Sequence, residues 1–177
     1  MGRPYLDGTA RFHLFYRRIP KSLDRLNWLP NTLLRLSVGF MFFSGAVAKL
    51  SDIRKFTAMF NSLGIPVATL AAPAVAGIEL VGGIALMLGF ATRPVSLVLA
   101  ADMAGALATD VGPNLAQKYP RVWDLLSNLF YSSEWLLTGL LLWLVCVGPG
   151  YASVDALIGG HTAASASELK RRSTPGT

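Results

Sequence analysis

Four apolar runs, at about 33–50, 67–90, 94–111 and 129–147, dominate this chain of 177 residues. Each is close to the ~20 helical residues that cross a hydrocarbon layer of roughly 30 Å. In lipid a backbone must satisfy its own polar groups, so runs of this length form helices. Composition agrees: 53% of the residues are hydrophobic and 15% are charged, where a soluble domain carries about 25% charge. The expected fold is an all-α membrane protein, a four-transmembrane-helix bundle with short interfacial helices and an extended cytoplasmic N-terminal segment. Residues 1–31 form that segment, 32–155 the membrane domain and 156–177 a flexible cytoplasmic tail. No apolar signal-peptide core precedes the first run, which is expected to act as the insertion signal.

The net charge of +6 is unevenly placed. With four spans, one side of the membrane holds both tails and the turn at Arg93. It collects Arg3, Arg11, Arg17, Arg18, Lys21, Arg25, Arg35, Arg93, Lys170, Arg171 and Arg172. The other side has Lys49, Arg54, Lys55, Lys118 and Arg121. An excess of Lys and Arg marks the cytoplasmic side, so both termini are expected there. Basic residues that flank spans read as topology and anionic-lipid contact, not as a nucleic-acid surface.

Two chemistries are hard to build here. Cys146 is the only cysteine, which excludes an intramolecular disulfide or a Cys-x-x-Cys pair. His13 and His161 both lie in the tails, so no bis-histidine haem is expected within the bundle.

Between 12 and 30 the chain mixes Phe12, Phe15, Tyr16 and Trp28 with Arg17, Arg18, Lys21 and Arg25, a composition suited to headgroup depth. A solvated tail and a partner-docking arm are the alternatives. Ser51-Asp52 reads as a helix start. Ile53, Phe56, Phe60 and Leu63 follow at helical spacing, and Gly64 and Pro66 close the pattern. This predicts a short amphipathic helix across one mouth of the bundle. The turn at Ala91-Thr92-Arg93-Pro94 makes the second and third spans antiparallel neighbours. The connection 112–128 is expected to hold an interfacial turn, and 163–177 to be disordered.

Three acids interrupt the apolar runs: Glu79, Asp102 and Glu134. A carboxylate at the centre of a membrane helix costs roughly 2.5–3.5 kcal/mol on insertion scales, so such residues face an interior, a partner or a ligand. Helical geometry groups Ala72, Ala76, Glu79 and Gly83 on one face, and Asp102, Ala106, Thr109 and Pro113 on another. Glu134 shares a face with Thr138. Arg35, Gly39, Phe42, Ala46 and Lys49 line the first run. At about 1.5 Å per residue, Glu79 and Asp102 fall near mid-membrane, with Glu134 and Asp110 nearer the outer boundary. The acids are expected to form a ladder, with Lys49 at its upper rungs and Arg35 at its lower ones. Two readings stay open: hydrogen-bonded pins that join the helices, or the lining of a cavity that binds a headgroup or relays protons. Gly82-Gly83 reads as a packing notch, and Ala100, Ala104 and Ala108 as a ridge for close helix contact. Phe40, Phe42 and Phe43 read as packing residues, and Tyr119, Trp123, Tyr131 and Trp135 as an aromatic belt.

Leu34-Arg35-Leu36, Gly39, Phe43, Gly45 and Lys49 resemble the first helix of the DoxX family of bacterial four-helix membrane proteins. Gly64-Ile65-Pro66 and Gly77-Ile78-Glu79-Leu80-Val81-Gly82-Gly83, then Gly89, Thr92 and Arg93, resemble its second-helix signature. Glu134, Gly148-Pro149-Gly150, Ser153 and Asp155 extend the likeness. The resemblance implies the bacterial cytoplasmic (inner) membrane and proximity to quinone-linked redox assemblies, since the family is named for a subunit associated with thiosulfate:quinone oxidoreductase. Fold alone fixes no activity.

The expected function is an accessory or anchoring membrane subunit of a bacterial redox or energy-converting complex, with no intrinsic cofactor and no activity alone. A quinone is its candidate ligand, and membrane lipids and complex subunits its partners. Glu79, Asp102 and Glu134 are the candidate proton-relay or ligand-binding residues, with Arg35 and Lys49 as charge partners. The alternatives are a stand-alone binder or transporter of a small lipophilic molecule, and a purely structural subunit.

Overall fold

The structure is a computed structural model that describes residues 28–150 and 153–157. The aromatic and basic stretch before Trp28, except Trp28 to Pro30 themselves, and the tail after 157 lie outside the described residues. Among the described residues every regular element is helical.

Helix α1 spans Trp28–Ser51 and α2 Ile53–Ser62. Helix α3 spans Ala68–Leu88 and α4 Thr92–Ala106. A π-helical turn, Leu107–Val111, leads into α5, Gly112–Lys118. Helix α6 spans Val122–Phe130 and α7 Ser133–Val147. Trp28–Ser51, Ala68–Leu88 and Thr92–Lys118 are each long and apolar enough to cross a membrane. The fourth apolar run departs from the expected single helix. It is a pair, α6 and α7, bent by 55° at Tyr131-Ser132. Helix α7 has 15 residues, about 22 Å, which is short of a hydrocarbon layer. The bend follows from a new helix start: Ser132 is extended, and its hydroxyl accepts the Trp135 N–H at 3.3 Å.

Local signals explain the other boundaries. Asp52 caps α2 by accepting the Lys55 N–H at 3.2 Å. Gly64, with φ of +71°, ends it, as the Ile65 N–H reaches back to the Phe60 carbonyl at 3.1 Å. Gly89 closes α3 in the same way, with φ of +69° and a Phe90 N–H to Ala85 carbonyl bond of 2.9 Å. The π turn is anchored by the Gly112 N–H on the Leu107 carbonyl and sits just before Pro113. Proline has no N–H to give, and its ring crowds the carbonyl four residues back, so a widened turn accommodates it. The connection 112–128, expected to hold an interfacial turn, is mostly helix.

Two pairs of helices carry the packing: α1 on α3, and α4 on α7. Helices α1 and α3 cross at Gly39 and Gly83, where a Cβ on either would lie 2.7 Å from the other's carbonyl oxygen. Gly82 faces the opposite way, onto Leu99 of α4. The expected notch thus serves two neighbours at once. Between the pairs, Val38, Phe42, Leu86, Leu99, Leu141 and Leu144 form the main core. Ala100 is buried as expected of a contact ridge, but Ala104 and Ala108 are exposed. The ridge stops there because α4 turns that side away from its neighbours.

At one end, where α1 and α4 begin and α3 and α7 finish, the chain after α7 returns as a polar strap. The Asn31 side-chain amide donates to the Gly148 carbonyl at 3.2 Å, and the Arg35 guanidinium donates to the Pro149 carbonyl. The Asp155 N–H donates to the Gly89 carbonyl at 3.1 Å. Its carboxylate accepts the Ala91 and Thr92 N–H groups at 2.8 and 3.0 Å. This is a helix cap supplied from 64 residues away, satisfying donors that α4 cannot satisfy itself.

Candidate functional site

A cavity of about 570 Å³ lies at the opposite end from the strap. Its walls come from α3 and α4, with Ala71, Val75, Met103 and Ala106. Helix α2 closes one side with Phe56, Met59, Phe60 and Leu63. The amphipathic pattern explains the placement: Phe56 and Phe60 are buried, their rings edge to face at 4.7 Å, and they cover the alanine face formed by Ala68, Ala72 and Ala76. Small residues on α3 let α2 lie close, while its charged side turns outward.

The polar part of the cavity is concentrated. Lys49, at the end of α1, donates to both carboxylate oxygens of Glu79 at 2.5 and 2.6 Å. Glu79 is 2% exposed, held on the face that also buries Ala72 and Ala76. Lys49 sits 5.1 Å from the Phe56 ring centroid, which adds a cation–π contact. Asp102 of α4 stands within electrostatic reach of both members of the pair. Its Oδ2 is buried with no hydrogen-bond partner among the described residues. Glu134 borders the same cavity from the first turn of α7, where the helix N-terminus favours a carboxylate. Asp110 reaches the wall from the π turn and accepts the Asn114 amide at 2.6 Å. Lys49, Glu79 and Glu134 also border a smaller cavity of about 180 Å³ beside Phe42 and Ser133. The ion pair therefore borders both chambers.

The structure brings Glu79, Asp102, Glu134 and Lys49 together. Arg35 is elsewhere. It lies 14 residues from Lys49 on the same helix, about 21 Å along the axis, buried in the strap beside Pro149 and in the field of Asp155. Expected as a charge partner at the lower rungs of the ladder, it meets Asp155 there and none of Glu79, Asp102 and Glu134. The roof residues Phe56 and Phe60 were readable as packing positions, yet nothing in their spacing marks them as cavity lining. Asp155 carries no local signal, since its partners are distant in sequence.

Chemically, the cavity offers what a small amphiphile requires. Apolar walls exclude water, and a few converging polar groups fix orientation. Lys49 spends two donors on Glu79, and an ammonium has three. The third can meet a carbonyl oxygen, and Asp102 Oδ2 can accept a hydroxyl.

The fold and the site define a small multi-pass membrane protein with a carboxyl-lined chamber between its helices. Residues 31–110 match the model of the DoxX family. That segment includes α1 to α4, with Lys49, Glu79, Asp102 and Asp110, while Glu134 and the strap fall outside it. The chain is 35% identical over 77 residues to a Bacillus subtilis (strain 168) protein named "Putative oxidoreductase CatD". The match covers 44% of this chain and 56% of that relative, so the chain spans about half the relative's length. No solved structure matches this chain.

Proposed function

We propose that this protein is a membrane subunit of an oxidoreductase assembly, and that its cavity seats the polar head of a quinone-class carrier. One observation carries the reading: a closed ion pair and a buried, unpartnered carboxylate oxygen share an apolar chamber large enough for a ring-sized headgroup. The fit is to both forms of such a head. The carbonyls of the oxidised form would take the third Lys49 donor. The hydroxyls of the reduced form would give a hydrogen bond to Asp102 Oδ2, and the carboxyl groups at the cavity floor can exchange protons with it. The name of the Bacillus subtilis relative supports the redox setting.

In this reading α6 and α7 together complete a fourth span, and both termini face the cytoplasm of a bacterial inner membrane. The basic and aromatic N-terminal stretch would meet anionic lipid or a partner subunit. A stand-alone binder or carrier of a small lipophilic molecule is the second reading, favoured by apolar walls around a few polar groups.

The test is gentle purification from the native membrane, followed by mass spectrometry of co-purifying proteins and extracted lipophilic molecules. Stoichiometric redox subunits with a quinone lost in Glu79→Gln support the proposal. A lone protein carrying a different small molecule favours the second reading, and a quinone content unchanged by Glu79→Gln overturns the site.

A further inference from the structure

The seam between α3 and α4 continues past the cavity. These helices are antiparallel neighbours, yet each packs far more closely on its other partner, α1 or α7. Toward the strap end the seam opens as a groove of about 690 Å³, lined by Ile78, Val81, Gly82, Val95, Val98 and Leu99 among its residues, all apolar. Val81 and Val98 are exposed, so the groove faces outward from the bundle.

Groove and cavity adjoin along both helices, though they share no lining residue. On α4, Val98 precedes Asp102 by four residues, about one helical turn. Pro94 and Val98 belong to the groove, and Asp102, Ala106 and Asp110 to the cavity. On α3, Glu79 belongs to the cavity, while Ile78 before it and Gly82 one turn later belong to the groove. The apolar track therefore comes within about one helical turn of Asp102 along α4, and along α3 it runs beside Glu79, from Ala74 to Gly82. Gly82 shapes its floor, because a side chain there would strike Leu99 at 3.0 Å.

We propose that this groove holds the hydrocarbon tail of the molecule whose polar head occupies the cavity. The ligand is then a headgroup with a long apolar chain, laid along the α3–α4 seam, and not a compact ring. This inference rests on the cavity being a headgroup site. The adjacency of the two surfaces names the occupant: a tail attached to a head beside Asp102 has the groove one turn away at Val98.

The test uses three benzoquinones with one headgroup and no tail, a short isoprenyl tail or a long one. Each is titrated into the full chain in nanodiscs of one phosphatidylcholine. Val98→Trp and Val81→Trp fill the groove from opposite walls. Leu97→Trp adds the same bulk at an exposed position outside it. Comparing variant with parent for each quinone cancels partitioning of the tail into the bilayer. The expected result is a loss of roughly tenfold for the long-tailed quinone in either groove variant, the equivalent of a few lost methylene contacts. Tail-less binding should stay within about twofold, and Leu97→Trp should match the parent. Equal effects on all three quinones, or none, overturn the tail track while leaving the headgroup site standing. No binding of even the tail-less quinone, in the parent or in Glu79→Gln, overturns both.

Discussion

Lys49 grips both carboxylate oxygens of Glu79 across the α1–α3 interface, with its own side chain 32% exposed and that of Glu79 only 3% exposed. The asymmetry sets what each substitution does. Lys49→Met strands a buried carboxylate and should destabilise the protein by about 2–3 kcal/mol, at the low side of the range for broken buried pairs because lysine is partly exposed. Adding Glu79→Leu should recover most of that loss, since two apolar groups replace two charges. Thermal unfolding in one detergent, run on the full double-mutant cycle, checks this. A double variant no more stable than Lys49→Met would show that the pair is not the source of the loss.

The glycine crossing makes a sharper structural prediction. Gly83→Ala places a methyl 2.7 Å from both the Gly39 carbonyl oxygen and the Phe43 nitrogen, and these backbone atoms cannot swing away. The cost should be about 1–3 kcal/mol of overpacking. Gly77→Ala, on the same helix, meets nothing within 4 Å. It should stabilise α3 by about 0.5–1 kcal/mol through helix propensity. Paired melting curves of the two variants separate a packing effect from a general intolerance of alanine.

Asp155 should behave as a helix cap although it belongs to no helix near α4 in sequence. Asp155→Ala removes the acceptor for the Ala91 and Thr92 N–H groups, at an expected cost of about 1 kcal/mol. It also loosens the strap, so limited proteolysis should cut after Gly148 sooner than in the parent. An unchanged cleavage rate would mean that Arg35, Asn31 and the backbone bond to Gly89 hold the strap without the cap.

Asp102 offers a chemical readout that stability does not. Asp102→Leu should weaken a hydroxyl-donating hydroquinone headgroup about tenfold, the worth of one hydrogen bond. An acceptor-only quinone of the same shape should bind nearly as before. Equal losses for both would assign Asp102 to packing.

Much of this was readable in the sequence because the signals were local. The α2 helix follows from Asp52, the Phe56–Phe60 spacing and Gly64, and the structure has it where those residues place it. The burial of Ala72, Ala76, Glu79 and Gly83 on one face follows from helical periodicity alone. Depth and partnership are different matters. Arg35 and Lys49 share a face, but only the crossing of α1 and α3 decides that Lys49 meets an acid and Arg35 meets a carbonyl. The bend at Ser132 escapes a reading of 129–147 as one apolar run. The polar Tyr131-Ser132-Ser133-Glu134 stretch inside that run is nevertheless the local sign of a new helix start, where a hydroxyl cap redirects the chain. The π turn depends on Pro113 and on helix continuity beyond the apolar run.

The strap has a mechanical consequence. It ties the start of α4 to the end of α3 and the start of α1, so the α1–α3 and α4–α7 pairs are pinned together at that end. At the other end the two pairs meet across the cavity through Lys49, Glu79, Asp102 and Glu134, while the α2 roof packs on α3 and α1, within one pair. A body fastened at one end and loose at the other moves as a lever. A slight splay at the pin becomes the widest gap at Glu79 and Asp102, so entry to the chamber needs little motion anywhere else.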